Sequence, residues 1–292
     1  MSRRRSPIVG KRYPLRTVCD VWRVPRSSVY ARAAEPVPET AKRGPKTAQS
    51  DAEVVGLIRE ILATSPFHSE GHRKVRVRLR QWGVHIGKAR ALRLMRAHRL
   101  LAPSRPGHVH GDPAHAGRIT TDRPDTLWGT DATCFWTAQD GWCWFFGAID
   151  HATDELVGWK AAKRGDRWAA LEPLYQGVRY AFGRLGKDVA RGLSVRSDWG
   201  PQYTAHAFGA ELRWLGIQHS PSFVGEPQCN GVIERFMRTL KEQCLWLHRF
   251  VDLAHAEREI GAFIDRYNAE WLVERHDHCT PRAIRAKLKV AA

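Results

Sequence analysis

Three acids define the chemistry this chain could perform. Asp131 sits inside the β-prone run LWGTDATCF, Asp198 follows LSVR and precedes the turn WGPQY, and Glu234 lies one turn into the helical stretch NGVIERFMRTL. A lone aspartate at a strand end is usually a turn former. Carboxylates on three different elements can instead converge, and hard cations such as Mg²⁺ take oxygen ligands of that kind. Two divalent ions held by a few carboxylates are suited to phosphodiester chemistry.

The elements that must position these acids follow from periodicity. Strands are predicted at about 127–135, 142–149 and 155–160, followed by a helix at 167–183 through Trp168, Leu171, Leu174 and Val178. The strand LSVR, a helix at 205–215, the short strand IQHS and a long helix at 230–246 complete the region. Three strands and then alternating helix and strand predict a mixed α/β sheet with helices on its faces. On the long helix, Ile233, Phe236, Leu240 and Cys244 share an apolar stripe that should face the sheet. Asn230, Glu234, Arg238 and Lys241 share another, about a third of a turn away, which puts Glu234 at the core's edge. Arg238 and Lys241 on that stripe could hold DNA phosphates. Trp128, Trp144 and Trp159 are expected to pack the sheet, while Trp199 beside Asp198 is a candidate contact for a DNA end. Asp150, ending the second strand, is a candidate accessory acid.

Upstream, composition separates further regions. Residues 14–33 read as two short helices around Val24-Pro25, resembling the end of a helix-turn-helix; with a Pro- and Lys-rich linker they make up 1–49. Residues 50–101 are helical and basic. Val54, Leu57, Ile58, Ile61 and Leu62 mark one helix, Val75, Val77 and Leu79 a second, and Ala91, Leu92, Met95 and Leu100 or Leu101 a third. Between Arg73 and Arg99 this region carries ten Lys or Arg and no acid. Arg73, Lys74, Arg76, Lys88, Arg90, Arg93 and Arg96 are candidate phosphate contacts of a helical DNA-binding module. A Pro- and Gly-rich linker at 102–124 precedes a core at 125–250 and a helical tail at 251–292.

Charge agrees with a polyanionic partner: 47 Lys and Arg stand against 30 Asp and Glu, a net +17. No run nears the roughly 18 apolar residues of a membrane span, and no apolar stretch follows the basic Arg3-Arg4-Arg5. Cys19, Cys134, Cys143, Cys229, Cys244 and Cys279 include no Cys-x-x-Cys pair, which suggests buried thiols in a reducing cytoplasm. His108 with His110, and His276 with His278 and Cys279, could bind metal, but each group lacks a second ligand pair.

The spacing Asp131, Asp198, Glu234, with 35 residues between the last two, resembles the Asp-Asp-35-Glu signature of retroviral integrases and bacterial insertion-sequence transposases. LWGTDAT, SDWGPQYTA and VGEPQCNGVIERFMRTLKEQ each resemble a segment carrying one of the acids. Residues 50–101 are similar to the basic segment that precedes the core in frameshift-expressed transposases, and YNAEWLVERHDHCTPRAIRA resembles the family's closing segment. The resemblance implies a ribonuclease H-like fold, with two Mg²⁺ (or Mn²⁺ as substitute) held by Asp131, Asp198 and Glu234. It implies strand cleavage and transfer at transposon ends without a covalent protein–DNA intermediate. It also gives Asn230 and Lys241 roles in positioning the site and binding the DNA end. Partners implied are duplex DNA, further copies of the chain and an upstream-frame fusion, in a bacterial cytoplasm at the nucleoid. Cys229 stands where the family often has an acid, residues 270–278 depart from its usual Arg-x-His stretch, and the zinc-binding domain of retroviral integrases is absent. A hydrolytic nuclease of the same fold and an inactive DNA-binding regulator are the alternatives. The intact triad argues against the regulator, and the basic helices with long linkers favour the transposase over the nuclease.

Overall fold

The computed structural model describes residues 5–33, 48–103, 121–221 and 230–290. They belong to two compact units, Met1–Ser50 and Asp51–Ala292. In the first, α1 (Leu15–Val21) and α2 (Arg26–Ala33) flank a short turn before Pro25. Most of both expected linkers, with His108, His110 and Cys229, lies outside the described residues.

The second unit opens with α3 (Asp51–Thr64), α4 (His72–Gln81) and α5 (Lys88–Ala97). Val54, Val55, Ile58 and Ile61 meet Val75, Leu79, Ala91, Leu94 and Met95 in one core. Leu94 is fully buried where Leu92 was expected. The reason is helical phase, since 91, 94 and 95 lie on one face and 92 turns away from it. This bundle docks on the larger fold through Phe67, edge-on to Trp271 at 5.0 Å. Gln243 also donates to His68 O (3.0 Å) and accepts from His68 N (2.8 Å).

A five-stranded sheet follows, in the order β3-β2-β1-β4-β5. Its strands are β1 (Leu127–Thr137), β2 (Gly141–Asp150), β3 (Leu156–Ala162), β4 (Ser194–Arg196) and β5 (Gln218–His219). The first three pair antiparallel, and β4 runs parallel to β1 and β5. On one face α6 (Arg167–Phe182), α7 (Pro201–Thr204) and α8 (His206–Leu215) cover Trp128, Phe146 and Ala148. On the other, α9 (Gly231–Leu240) and α10 (Leu253–Glu270) cover Phe135, Phe145 and Ile149. This is the mixed, helix-flanked five-stranded sheet that was expected. Close approach of α6 depends on Gly177, where a Cβ would meet the Trp128 ring at 2.7 Å.

Two local expectations are corrected, and the tail gains a place in the core. Trp168 is 53% exposed rather than inward, because Asp166 caps α6 and starts its apolar face one turn later. The long helix ends at Leu240 and continues as a π-helical turn, Lys241–Leu245. The tail shares the sheet's core, since Ile260, Phe263, Ile264 and Tyr267 of α10 pack there before α11 (Pro281–Val290).

Candidate active site

β1 pairs with β2 along its whole length and with β4 as far as Gly129, so Asp131 lies just past the stretch that is flanked on both sides. Alternation along β1 sends Trp128 into the α6 face and Phe135 into the α9 face. Asp131 shares its parity with Phe135 and therefore points toward α9. Its partner across β2 is Gly147, which has no side chain to fill the space above it. One oxygen of Asp131 accepts from the Ala132 amide at 2.8 Å.

Asp198 arrives because β4 pairs with β1 up to Gly129↔Arg196, two residues before it. Its Oδ1 accepts from Gly200 N at 3.0 Å, closing the turn that starts α7 at Pro201. Glu234 stands on the exposed side of α9, whose other face buries Val232, Ile233, Phe236, Met237 and Leu240. The start of α9 is tied to β1 by Asn230, whose Nδ2 donates to Thr130 O at 3.2 Å. Asn230 is buried, so it positions the helix and is not exposed to DNA.

Asp198 and Glu234 both act on Asp131. Burial, reinforced by the charges of Asp198 and Glu234, pushes Asp131 up to about 6 against the opposing Ala132 amide and Lys241. Burial also raises Glu234. Among the described residues Glu234 makes no ion pair or hydrogen bond, and Asp131 and Asp198 each keep one carboxylate oxygen without a partner. An all-oxygen, unneutralised donor set fits a hard divalent cation. Among the described residues no group of three His, Cys, Asp or Glu is gathered closely enough to hold a metal ion, so the three acids are not a preformed ligand cage.

Asp150 is different. It is fully buried and accepts from Ala152 N (2.7 Å), Thr153 N (3.0 Å) and Asp125 N (2.6 Å), with Arg285 Nη2 at 3.4 Å. Its oxygens are committed, which rules out the expected accessory acid. His276 lies 3.3 Å from Asp154 and Cys279 accepts from Lys287 at 3.1 Å, and neither belongs to a metal-ligand group. Cys19, Cys143 and Cys244 are buried, but Cys134 is exposed on β1, contrary to expectation, because the sheet's covering helices do not reach it.

The basic bundle divides in two. Arg90 and Arg93 pair with Asp51 at 2.9 and 2.7 Å and hold its carboxyl below the usual range, Arg93 contributing more. Arg73 pairs with Glu274, Lys74 Nζ sits 2.8 Å over the Trp271 ring, and Arg76 Nε donates to Ile86 O at 3.3 Å. Lys88 and Arg96 are exposed and make no ion pair among the described residues. Arg238 pairs with Glu242, whereas Lys241 stays close enough to lower Asp131. Trp199 is 55% exposed beside Asp198.

Integrase core domain families match residues 121–227 and 215–281, which together hold all three acids. The chain belongs with the insertion-sequence transposases that carry an integrase core. It is 29% identical over 161 residues to the transposase for insertion sequence element IS904 of Lactococcus lactis, covering 54% of this chain and 60% of that one. It is 24% identical to the insertion element IS600 uncharacterized 31 kDa protein of Shigella sonnei, covering 92% and 98%. Transposase InsD of Escherichia coli IS2 is 24% identical, covering 76% and 74%. Among solved structures, the catalytic core domain of BIV integrase aligns at a TM-score of 0.42 and 19% identity, over 57% of this chain and 97% of that one. The HTLV-2 integrase core in complex with magnesium aligns at 0.43 and 16%, over 56% and 97%. No helix among the described residues of the transposase is long and apolar enough to cross a membrane.

Sequence reasoning missed the transposase's support residues. His151 is buried, and burial, with Arg196 and Arg275 nearby, pushes it down to about 4, so its imidazole is neutral. A Cβ on Gly129 would meet Asn230 Oδ1 at 2.6 Å and His151 Nε2 at 2.8 Å. Glycine at 129 therefore lets both side chains lie directly over β1, two residues from Asp131. Tyr203 is buried beside Thr130, and burial raises its phenol well above the usual value. A buried polar residue whose partners are 20 to 100 positions away leaves no periodic trace in sequence.

Proposed function

We propose that this transposase cuts DNA strands at the ends of an insertion sequence and joins them to a target, with Asp131, Asp198 and Glu234 as ligands for two divalent cations, Mg²⁺ or Mn²⁺. The observation that carries this reading is the trio of unneutralised acids, with Asp131 raised to about 6 by burial and by the charges of Asp198 and Glu234. Bound there, the cations supply Lewis acidity toward a phosphodiester and a more acidic nucleophile.

The chain's own residues supply the geometry. The paired strand β1 fixes Asp131, and Asn230 fixes the start of α9 so that Glu234 stays opposite it. Lys241 offers positive charge to a phosphate next to the acids. Lys88 and Arg96 offer longer-range grip on duplex DNA, as the net charge of +17 favours. The active species is a homo-oligomer holding paired ends at the nucleoid.

The test is a strand-transfer assay with duplex oligonucleotides carrying the element's inverted repeats. Asp131→Asn, Asp198→Asn and Glu234→Gln should each reduce cleavage and joining at least a thousand-fold, roughly the loss seen when a principal catalytic group is removed. End binding should persist in all three. Near-native joining by any variant removes that residue from the site, and cleavage without joined products makes the protein a hydrolytic nuclease.

A further inference from the structure

Beside the acids lies a cavity of about 740 Å³ that the strand chemistry above does not use. It opens between the far end of the β1–β2 hairpin and the π-helical turn after α9. Trp136, Trp142 and Trp246 line it, and they are 56%, 65% and 70% exposed. Trp136 and Trp142 face each other in register across the hairpin, edge to face at 5.6 Å. Leaving three indoles in water is costly, so the arrangement is built for something that covers them.

The lining identifies the chemistry of that occupant. It contains no carboxylate and includes Lys241 and Arg249, neither of which makes an ion pair among the described residues. His248 is already engaged with Cys244 O at 2.9 Å and lies 3.6 Å from Glu259. Flat aromatic faces flanked by Lys241 and Arg249 suit a ligand that is itself flat and anionic. A duplex hides its base faces everywhere but at its last pair, whereas an unpaired nucleotide frees its base to enter a cavity and stack, so an unpaired end nucleotide is the form that suits indole faces set within a cavity. The volume is within the range of sites that enclose small ligands.

Position supports the same occupant. Thr133 lines the cavity and lies two residues along β1 from Asp131, about 7 Å by strand rise. That is close to the spacing of neighbouring nucleotides. Lys241 belongs to both places, since it lines the cavity and lowers Asp131. The π turn matters here because its extra residue per turn shifts the following chain out of helical phase and brings Trp246 to the rim. The walls are pinned. Ala138 N donates to Phe250 O at 3.0 Å, Gln139 N to Val251 O at 2.8 Å, and Leu253 N to Asp140 Oδ2 at 2.9 Å.

We propose that this cavity binds an unpaired nucleotide of the DNA end, stacking its base on Trp142 or Trp246 with its phosphate toward Lys241 and Arg249. The proposal rests on the reading that the neighbouring acids work on DNA. Its consequence is that the protein should prefer ends whose terminal pairs are opened over fully paired ends.

The full chain should be titrated, without divalent metal, with two ends of identical sequence, one fully paired and one with its last two pairs mismatched. A 2-aminopurine at the opened position reports stacking. Wild type should bind the opened end roughly ten-fold tighter, the size of one base–aromatic stack, and quench the probe. Trp246→Ala and Trp142→Ala should bring the two affinities within about two-fold, while Trp246→Phe keeps part of the preference. Paired-end affinity and melting temperature should not change, since both rings are exposed. Retained preference in both alanine variants overturns the proposal. So does a fall in oligomeric state by sedimentation with preference intact, which would make the cavity a contact between copies. Strand joining measured on the same samples separates the two readings. Wild-type joining without any opened-end preference overturns the cavity alone, and opened-end preference without joining overturns the catalytic reading alone.

Discussion

Two sets of three acids stand at this sheet and the elements around it, and they have opposite electrostatic fates. Asp125, Asp150 and Glu155 surround Arg285 of α11, which pairs with all three, at 2.8 Å to Asp125 and 3.4 Å to Asp150. Among the described residues Asp131, Asp198 and Glu234 pair with no such cation, and Lys241 acts on Asp131 from beside them. The first cluster is buried, saturated and closed by the chain's own C-terminal helix. The second is open, with carboxylate oxygens to spare. Count and residue type do not separate them; neutralisation does. A carboxylate cluster that the protein has balanced is structural, and the proposed function assigns the unbalanced one to an ion from outside.

The comparison breaks most visibly at Arg285. Arg285→Met should destabilise the protein by about 3–5 kcal/mol, because it strands buried acids without their counter-ion. Urea unfolding measures this. A loss below about 1 kcal/mol would mean the acids protonate or hydrate cheaply, and the contrast between the clusters would fail.

Asp131→Asn should act in the opposite sense. Its folded-state pKa is raised to about 6, so the native state binds protons more tightly than the unfolded chain. Stability contributed by the protonated form is full below about pH 4 and is lost as pH rises through 6. Removing the charge should therefore stabilise the metal-free protein by up to about 3 kcal/mol at pH 7.5, and by little at pH 4. Equal effects at both values would show that Asp131 is not electrostatically strained.

His151 sharpens the picture from the acid side. Its folded pKa is lowered to about 4, so its contribution is present above the unfolded value near 6.5 and is lost as pH falls toward 4. His151→Gln should flatten the decline in melting temperature between pH 6.5 and 4. An unchanged profile would place the proton uptake elsewhere.

The smallest effect is expected in the basic bundle. Lys88→Gln with Arg96→Gln should reduce the salt dependence of end binding by up to about 0.9 log units per lost phosphate contact. Arg90→Gln with Arg93→Gln should change it less, because Asp51 already engages both. A salt series of binding isotherms would distinguish the pairs, and equal slopes would remove the distinction.

What was legible in sequence was local or periodic. Alternation gave the strands, the two stripes of α9 placed Glu234 at the core's edge, and the segments around the acids carried the resemblance to an integrase core. What was not legible depends on distant partners. Asp150 looks like an accessory acid until Arg285, 135 positions later, is seen beside it. The ten cations at 73–99 look uniformly free until Asp51 and Glu274 reach back to three of them. The π turn at 241–245 has no compositional mark, so the direction of Trp246 could not be read from a helical wheel.

The most direct test of the central claim is a melting-temperature titration of the wild-type protein and Asp131→Asn with Mn²⁺ at pH 7.5. Binding that neutralises the open acids should raise the wild-type melting temperature progressively with metal, by a free energy of about 2.7 kcal/mol at a hundred times the dissociation constant. Asp131→Asn should start higher and respond weakly. A wild-type curve that does not move with Mn²⁺, or a variant that gains as much as wild type, would contradict the claim that these acids are held unbalanced for a divalent ion.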